Sequence, residues 1–189
     1  MPLIDYKNFI IVIIYSSFGL IFKIYSSRLK KTAKRKEDYK SAVEAKRNIV
    51  VVDYVNIAVL LMFNIMNISM LYMEYYYANN ISTSIEFDIY KVIAIICGVM
   101  FIFIGSVIPK CKTNSFIGVR TPWSMKNDIS WSYSQRYGGI TLIISGIITV
   151  VGVCFLKEIF ALVYMSIIVV IATIICIYLS YVAYKKSLN

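Results

Sequence analysis

The chain has 189 residues, of which 59% are hydrophobic and 16% charged, with a formal net charge of +10 and no histidine. A soluble domain is about half apolar and a quarter charged, whereas here the apolar residues run in stretches long enough to cross a bilayer. That excludes an ordinary cytosolic enzyme, a disordered tail and a disulfide-stapled secreted domain, and points to an integral membrane protein. Without histidine, triad, zinc-hydrolase and haem chemistry are poor expectations, and no cofactor or metal is expected.

A membrane-crossing helix needs about 20 mostly apolar residues. Five stretches qualify: Asn8–Tyr25, Ile49–Tyr72, Ile89–Ile108, Gly139–Leu156 and Ile159–Tyr184. The expected fold is an all-α, polytopic transmembrane helical bundle. Its runs are too long for barrel strands. The first stretch reads as a span and not as a cleaved signal peptide. No small-residue cleavage site follows it, and Ser26-Ser27 leads straight into a basic loop. Lys and Arg resist translocation. Most of the 20 basic residues fall in 23–48, in 109–136 and in the tail, all on one side of a five-span chain. The N-terminus is therefore expected outside and the C-terminus in the cytoplasm. The positive balance is topology, and no direct nucleic-acid partner is expected.

Two regions are expected, 1–88 with two spans and 89–189 with three. In the basic loop 26–48, Lys30-Lys31 and Lys34-Arg35-Lys36 suit anionic headgroups or simple flanking charge. Glu37, Asp38 and Glu44 lie three to four residues from Lys34, Lys40 and Arg47, which predicts a short helical extension below the membrane. The outer loop 73–88 carries Tyr75, Tyr76 and Tyr77, followed by Asn79-Asn80. The tyrosines suit interfacial anchors or contacts to an external ligand. The linker at Lys157-Glu158 is so short that spans four and five must be antiparallel neighbours.

Along span two, Asp53, Asn56, Asn64, Asn67 and Glu74 fall within about an 80° arc of a helix. Such a face meets protein or a water-filled cavity, not lipid. It serves either a ligand or ion pathway or interhelical hydrogen bonding. Span four offers a small-residue face of Gly138, Thr141, Ser145, Thr149 and Gly152, suited to close packing within the chain or to a homodimer. Gly98 and Gly105 suit the same purpose on span three. Cys97, Cys154 and Cys176 read as small hydrophobes. Cys111 lies between Lys110 and Lys112, which would favour its thiolate. It has no histidine partner, so an enzyme is not expected.

The loop 109–139 holds both tryptophans, Trp123 and Trp131. Gly118 permits a tight turn before Arg120. Thr121-Pro122 reads as an N-cap followed by proline at the first helical position. Asn127 or Asp128 suits the cap of a second helix carrying Trp131 and Arg136 into span four. Tryptophans flanking an arginine suit an interfacial element, with Arg120 on a phosphate or on a buried acid such as Asp53.

Asn114, Gly118, Val119, Arg120, Thr121, Pro122, Trp123 and Ser124, then Trp131, Arg136, Gly138 and Gly139, form a gapless motif. It resembles the loop of the SdpI family of bacterial membrane proteins, over about residues 90–184. The resemblance differs at Gln135, where many members have histidine, and the chain looks like a shortened member. It implies immunity to a secreted membrane-active peptide toxin, with a cytoplasmic transcriptional repressor as a second partner and membrane lipids as surroundings. A small transporter or lipid-handling protein, its pathway lined by the span-two stripe, is the alternative.

Overall fold

A computed structural model describes residues 20, 21, 23, 24, 26–28, 30, 31, 39–78, 88–114 and 117–188. Among the described residues the fold is all-helical, and four helices are long and apolar enough to cross a membrane. They are α1 (Tyr39–Ala78), α2 (Ile89–Val107), α3 (Asp128–Val153) and α4 (Ile159–Lys186), with a 3-10 turn at Ile108–Lys110. Of the first expected span only residues 20, 21, 23 and 24 are described, all helical. The rest of it lies outside the described residues, as do Lys34, Arg35, Lys36, Glu37, Asp38 and the loop 79–87.

The helix α1 has 40 residues. At about 1.5 Å per residue it runs about 60 Å, twice the hydrocarbon thickness of a bilayer. It absorbs the expected helical extension at its basic end and the start of the expected outer loop at the other. Residues 73–78 are therefore helix, and Tyr75 stands exposed on it. Glu44 reaches Lys112 Nζ at 3.9 Å instead of its own helical neighbours.

Pro109 ends α2, because proline lacks the amide hydrogen that a continuing helix needs. The Cys111 amide then closes the 3-10 turn onto Ile108 O at 3.0 Å. The fourth expected span does not begin at Gly139: its helix starts eleven residues earlier, at Asp128, capped by Asn127, whose Oδ1 accepts from the Ser130 amide at 2.7 Å. The run Asp128–Tyr137 reads as loop by hydropathy, but Ser130, Ser134 and Gln135 within it are buried inside the bundle.

The helices alternate in direction. At the end away from the basic loop Asp88 joins two of them. Its Oδ1 accepts from the Lys91 amide at 3.1 Å, capping α2. Its Oδ2 accepts from the Glu158 amide at 2.6 Å, where the chain turns from α3 to α4. Glu158 holds a left-handed φ of 51°, unusual for a side-chain-bearing residue.

The central helix is α3, packed on α2 by one face and on α4 by another. On the α2 side, Gly98 faces Gly146 and Gly105 faces Gly139, two turns apart on both helices. A Cβ on Gly146 would lie 2.5 Å from Gly98 O, and one on Gly139 would lie 2.5 Å from Gly105 O. On the α4 side the expected small-residue face is buried within the chain. Gly138 meets Cys176, and Gly152 meets the Tyr164 ring. This face is therefore taken up largely by packing within one chain. Thr141, Ser145 and Thr149 each donate to the carbonyl four residues back, at 2.8–3.0 Å. Their hydroxyls are thus satisfied by their own helix. Lipid-facing surface stays apolar, as with Ile167, Val170, Ile174 and Tyr178 on α4.

Lipid tails are as apolar as leucine, so contact between these helices rests on close packing. Gly146→Val is expected to force α2 off α3 and to lower stability by roughly 1–3 kcal/mol. Thermal unfolding in detergent would show it, with lipid-facing Ile147→Leu expected to leave the midpoint unchanged.

Candidate functional site

The loop between the 3-10 turn and α3 is a folded unit, fastened from several sides. Asn114 shapes its first part, accepting from the Ile117 amide at 2.8 Å and donating to Lys112 O at 2.8 Å. Thr113 Oγ1 donates to Asp128 at 2.8 Å. The Lys112 amide donates to Asn48 Oδ1 at 2.8 Å, which fastens the loop to α1.

Gln135 is the centre of the second part. It is wholly buried. Its Oε1 accepts from the Val119 amide at 2.8 Å, and its Nε2 donates to Val119 O at 3.0 Å. One side-chain amide therefore satisfies both backbone groups of a single loop residue, as a strand partner would. Gly118 supplies the approach, with φ of 117° and no room for a Cβ against the Gln135 amide.

Thr121 and Ser124 cap each other. The Thr121 amide donates to Ser124 Oγ at 2.9 Å, and the Ser124 amide donates to Thr121 Oγ1 at 3.1 Å. The expected helix at Pro122 is a single turn, closed by the Met125 amide on Thr121 O at 3.2 Å. It goes no further because Asn127 takes an extended conformation to cap α3. Thr121 Oγ1 also hydrogen-bonds Ser180 Oγ, which fastens the loop to α4.

The tryptophans divide. Trp131 is only 2% exposed and donates from Nε1 to Cys111 O at 3.1 Å. It is a core residue holding two ends of the loop together, not an interfacial anchor. Trp123 is half-buried and meets Tyr181 edge-on at 5.5 Å. Lys185 lies over that tyrosine at 5.1 Å.

Arg120 and Arg136 are both exposed. Neither has a hydrogen bond or ion pair among the described residues. The expected pairing of Arg120 with Asp53 is not formed. Asp53 instead accepts from Ser26 Oγ at 2.6 Å and pairs with Lys30 at 3.4 Å. The reason is topological, since α1 packs on α2 and the 3-10 turn but not on α3 or α4.

The polar stripe of α1 therefore stands apart from the loop. Along it the surroundings differ. Asn56 Oδ1 is buried without a hydrogen bond. Asn64 is exposed and donates to Leu60 O of its own helix at 2.8 Å. Asn67 is half-buried. The Glu74 side chain lies outside the described residues. No cluster of three His, Cys, Asp or Glu side chains is placed to hold a metal among the described residues.

Residues 110–182 match the SdpI/YfhL protein family. The Immunity protein SdpI of Bacillus subtilis (strain 168) is 32% identical over 106 residues, 56% of this chain and 51% of that protein. The chain thus spans about half the length of the curated relative it matches. No solved structure matches it.

The SdpI segment contains the whole loop, all of α3 and nearly all of α4. Every motif residue from Asn114 to Arg136 lies within it, and the α1 stripe lies outside. Reading the motif alone misses Gln135, Ser180 and Asn48, the groups that hold the loop. A signal for Gln135 exists: Trp131, Ser134, Gln135, Gly138 and Thr141 recur at helical spacing ahead of the hydrophobic run.

Replacing Gln135 by leucine keeps the volume but strands the Val119 amide. A cost of about 1–3 kcal/mol is expected, with hydrogen exchange at that amide accelerating while the α2–α3 contact stays protected. Cys111 also departs from expectation. Burial pushes its thiol up to about 11 from the ordinary 9.0, and the Lys112 ammonium turns to Glu44. The thiolate is the reactive form. At pH 8, alkylation of Cys111 is expected to be about 100-fold slower in the folded chain than in the unfolded one, rising as pH climbs from 9 toward 11. Exposed Cys154 is expected to react with a membrane-impermeant maleimide on intact cells, which also checks that the α3–α4 turn faces outward.

Proposed function

We propose that this protein is a multi-pass immunity protein of the bacterial cell membrane, protecting its host from a secreted membrane-active peptide. The observation that carries this reading is the SdpI segment itself. The residues that match the SdpI/YfhL family include a loop whose internal groups are consumed in holding its shape, while Arg120, Pro122 and Met125 of the loop and Arg136 of α3 are left exposed. A rigid mount with unsatisfied charges at its tip is what recognition requires.

On the proposed topology, N-terminus outside and C-terminus cytoplasmic, this loop faces the cytoplasm. It is the surface for a repressor, and the toxin is met at the outer ends of the helices or within the bilayer. Helix α4 connects the two sides. It is fastened by Asp88 to Glu158 at its outer end and by Ser180 to Thr121 at the other. A peptide that displaces the outer turn would therefore move the loop through one unbroken helix.

Survival tests the reading. A sensitive Gram-positive strain expressing the chain would be challenged with a panel of secreted antimicrobial peptides, including sporulation-delaying types. Wild type is expected to protect, and Arg120→Ala at equal membrane abundance is expected to lose protection. Protection by both would place toxin interception away from the loop. Failure of wild type across the panel would overturn the proposal.

A further inference from the structure

The bundle is closed at one end and open at the other. At the outer end α2 and α4 meet, with Ala94, Val153 and Ala161 fully buried together and Ile95, Leu162 and Met165 packed round them. Toward the basic end the two helices part, each keeping to its own face of α3. The gap is a cavity of about 290 Å³. Leu142 and Ser145 of α3 form its floor, Phe101 of α2 one wall, and α4 from Val169 to Ile177 the other. That stretch of α4 rises about 12 Å.

The lining asks for hydrocarbon. The two hydroxyls that face it, Ser145 and Thr173, are spent on carbonyls of their own helices at 2.8 Å. Val169, Thr173 and Ile177 are exposed, so the slot opens sideways to the bilayer and fills without any parting of helices. Its mouth at the basic end is Val119, Arg120 and Thr121. Val119 is held by Gln135 and Thr121 by Ser180, which fixes the backbone of Arg120 between them. The Arg120 guanidinium is exposed and has no partner among the described residues. A long apolar slot ending at a fixed arginine is complementary to an anionic amphiphile, and guanidinium matches phosphate oxygens in pairs. The basic end of the molecule is also the end expected at the leaflet rich in anionic lipid.

We infer that this groove seats one acyl chain of an anionic phospholipid, with the lipid phosphate held by Arg120. Lipid seating stands independently of the immunity reading. It assigns Arg120 a ligand whether or not a toxin or repressor is ever met.

Native mass spectrometry of the detergent-purified full chain would test it, with phosphatidylglycerol as probe and phosphatidylethanolamine as comparison. One phosphatidylglycerol per chain is expected to be retained preferentially. Arg120→Gln is expected to weaken it about tenfold, the loss of a charge-assisted hydrogen bond, and Lys126→Gln to leave it unchanged. Ala172→Leu, which fills the groove, is expected to abolish the adduct with Arg120 intact, its thermal midpoint reporting that the fold survives. Should Ala172→Leu misfold, Thr173→Leu at the exposed rim makes the same test. Equal loss in Lys126→Gln and Arg120→Gln would show diffuse charge attraction and overturn the site. Adducts unaffected by groove-filling variants would overturn the acyl seat. Binding of an apolar peptide with a free carboxylate in place of lipid, or a dimer mass without adduct, would give the groove to those occupants and likewise overturn it.

Discussion

The contact on which the molecule depends is the approach of α2 and α3 at Gly98–Gly146 and Gly105–Gly139. Two backbones can come this close only where neither carries a side chain. Within lipid no hydrophobic force draws helices together, so the gain comes from many short contacts made along the seam. With α2 seated there, α3 keeps another face for α4 and becomes the buried centre of the bundle. That centrality allows the first turns of α3 to carry Ser130, Trp131, Ser134 and Gln135 fully buried or nearly so. On a lipid-facing helix such residues would be costly. Here they hold the loop.

The loop in turn shows how an irregular segment survives beside a bilayer. Non-helical backbone is tolerated there only if its polar groups are met by protein or water. Gln135 serves both polar groups of Val119, Ser124 and Thr121 serve each other, and Trp131 closes on Cys111 O. Few of these groups are free to do anything else. The side chains left over, chiefly Arg120 and Arg136, are the ones available to a partner. Structure and recognition are thus divided among neighbouring residues of one motif.

Much of this organisation was legible in the chain itself. The spans of α2 and α4, the tight antiparallel turn at Lys157-Glu158, the cap at Asn127 and the need for Gly118 all follow from local chemistry. The small-residue face of α3 is also plain from its spacing. The loop motif carries the family resemblance, and the match over 110–182 falls on the same residues. What failed did so for a common reason. The burial of the first turns of α3, the role of Trp131 and the partner of Asp53 each depend on what lies across a gap in space. Hydropathy places Asp128–Tyr137 outside the membrane helix, because it cannot register that a neighbouring loop supplies partners. An indole beside an arginine has the same sequence signature whether it faces headgroups or a carbonyl. Lysines flanking Cys111 lower its pKa only if their charges stay near, and one of them turns to Glu44.

By itself the sequence determined a helical membrane protein, the positions of most spans, the charge asymmetry that sets its expected orientation and the segment that carries the family resemblance. These are matters of composition and of periodicity along one helix, and they need no knowledge of neighbours. Only the tertiary structure decided that α1 stands apart from α3 and α4, that Gln135 and not a tryptophan is the keystone of the loop, and that α2 and α4 part over an apolar slot ending at Arg120. Each of these is a relation between surfaces distant along the chain, fixed by where two pairs of glycines let the helices touch.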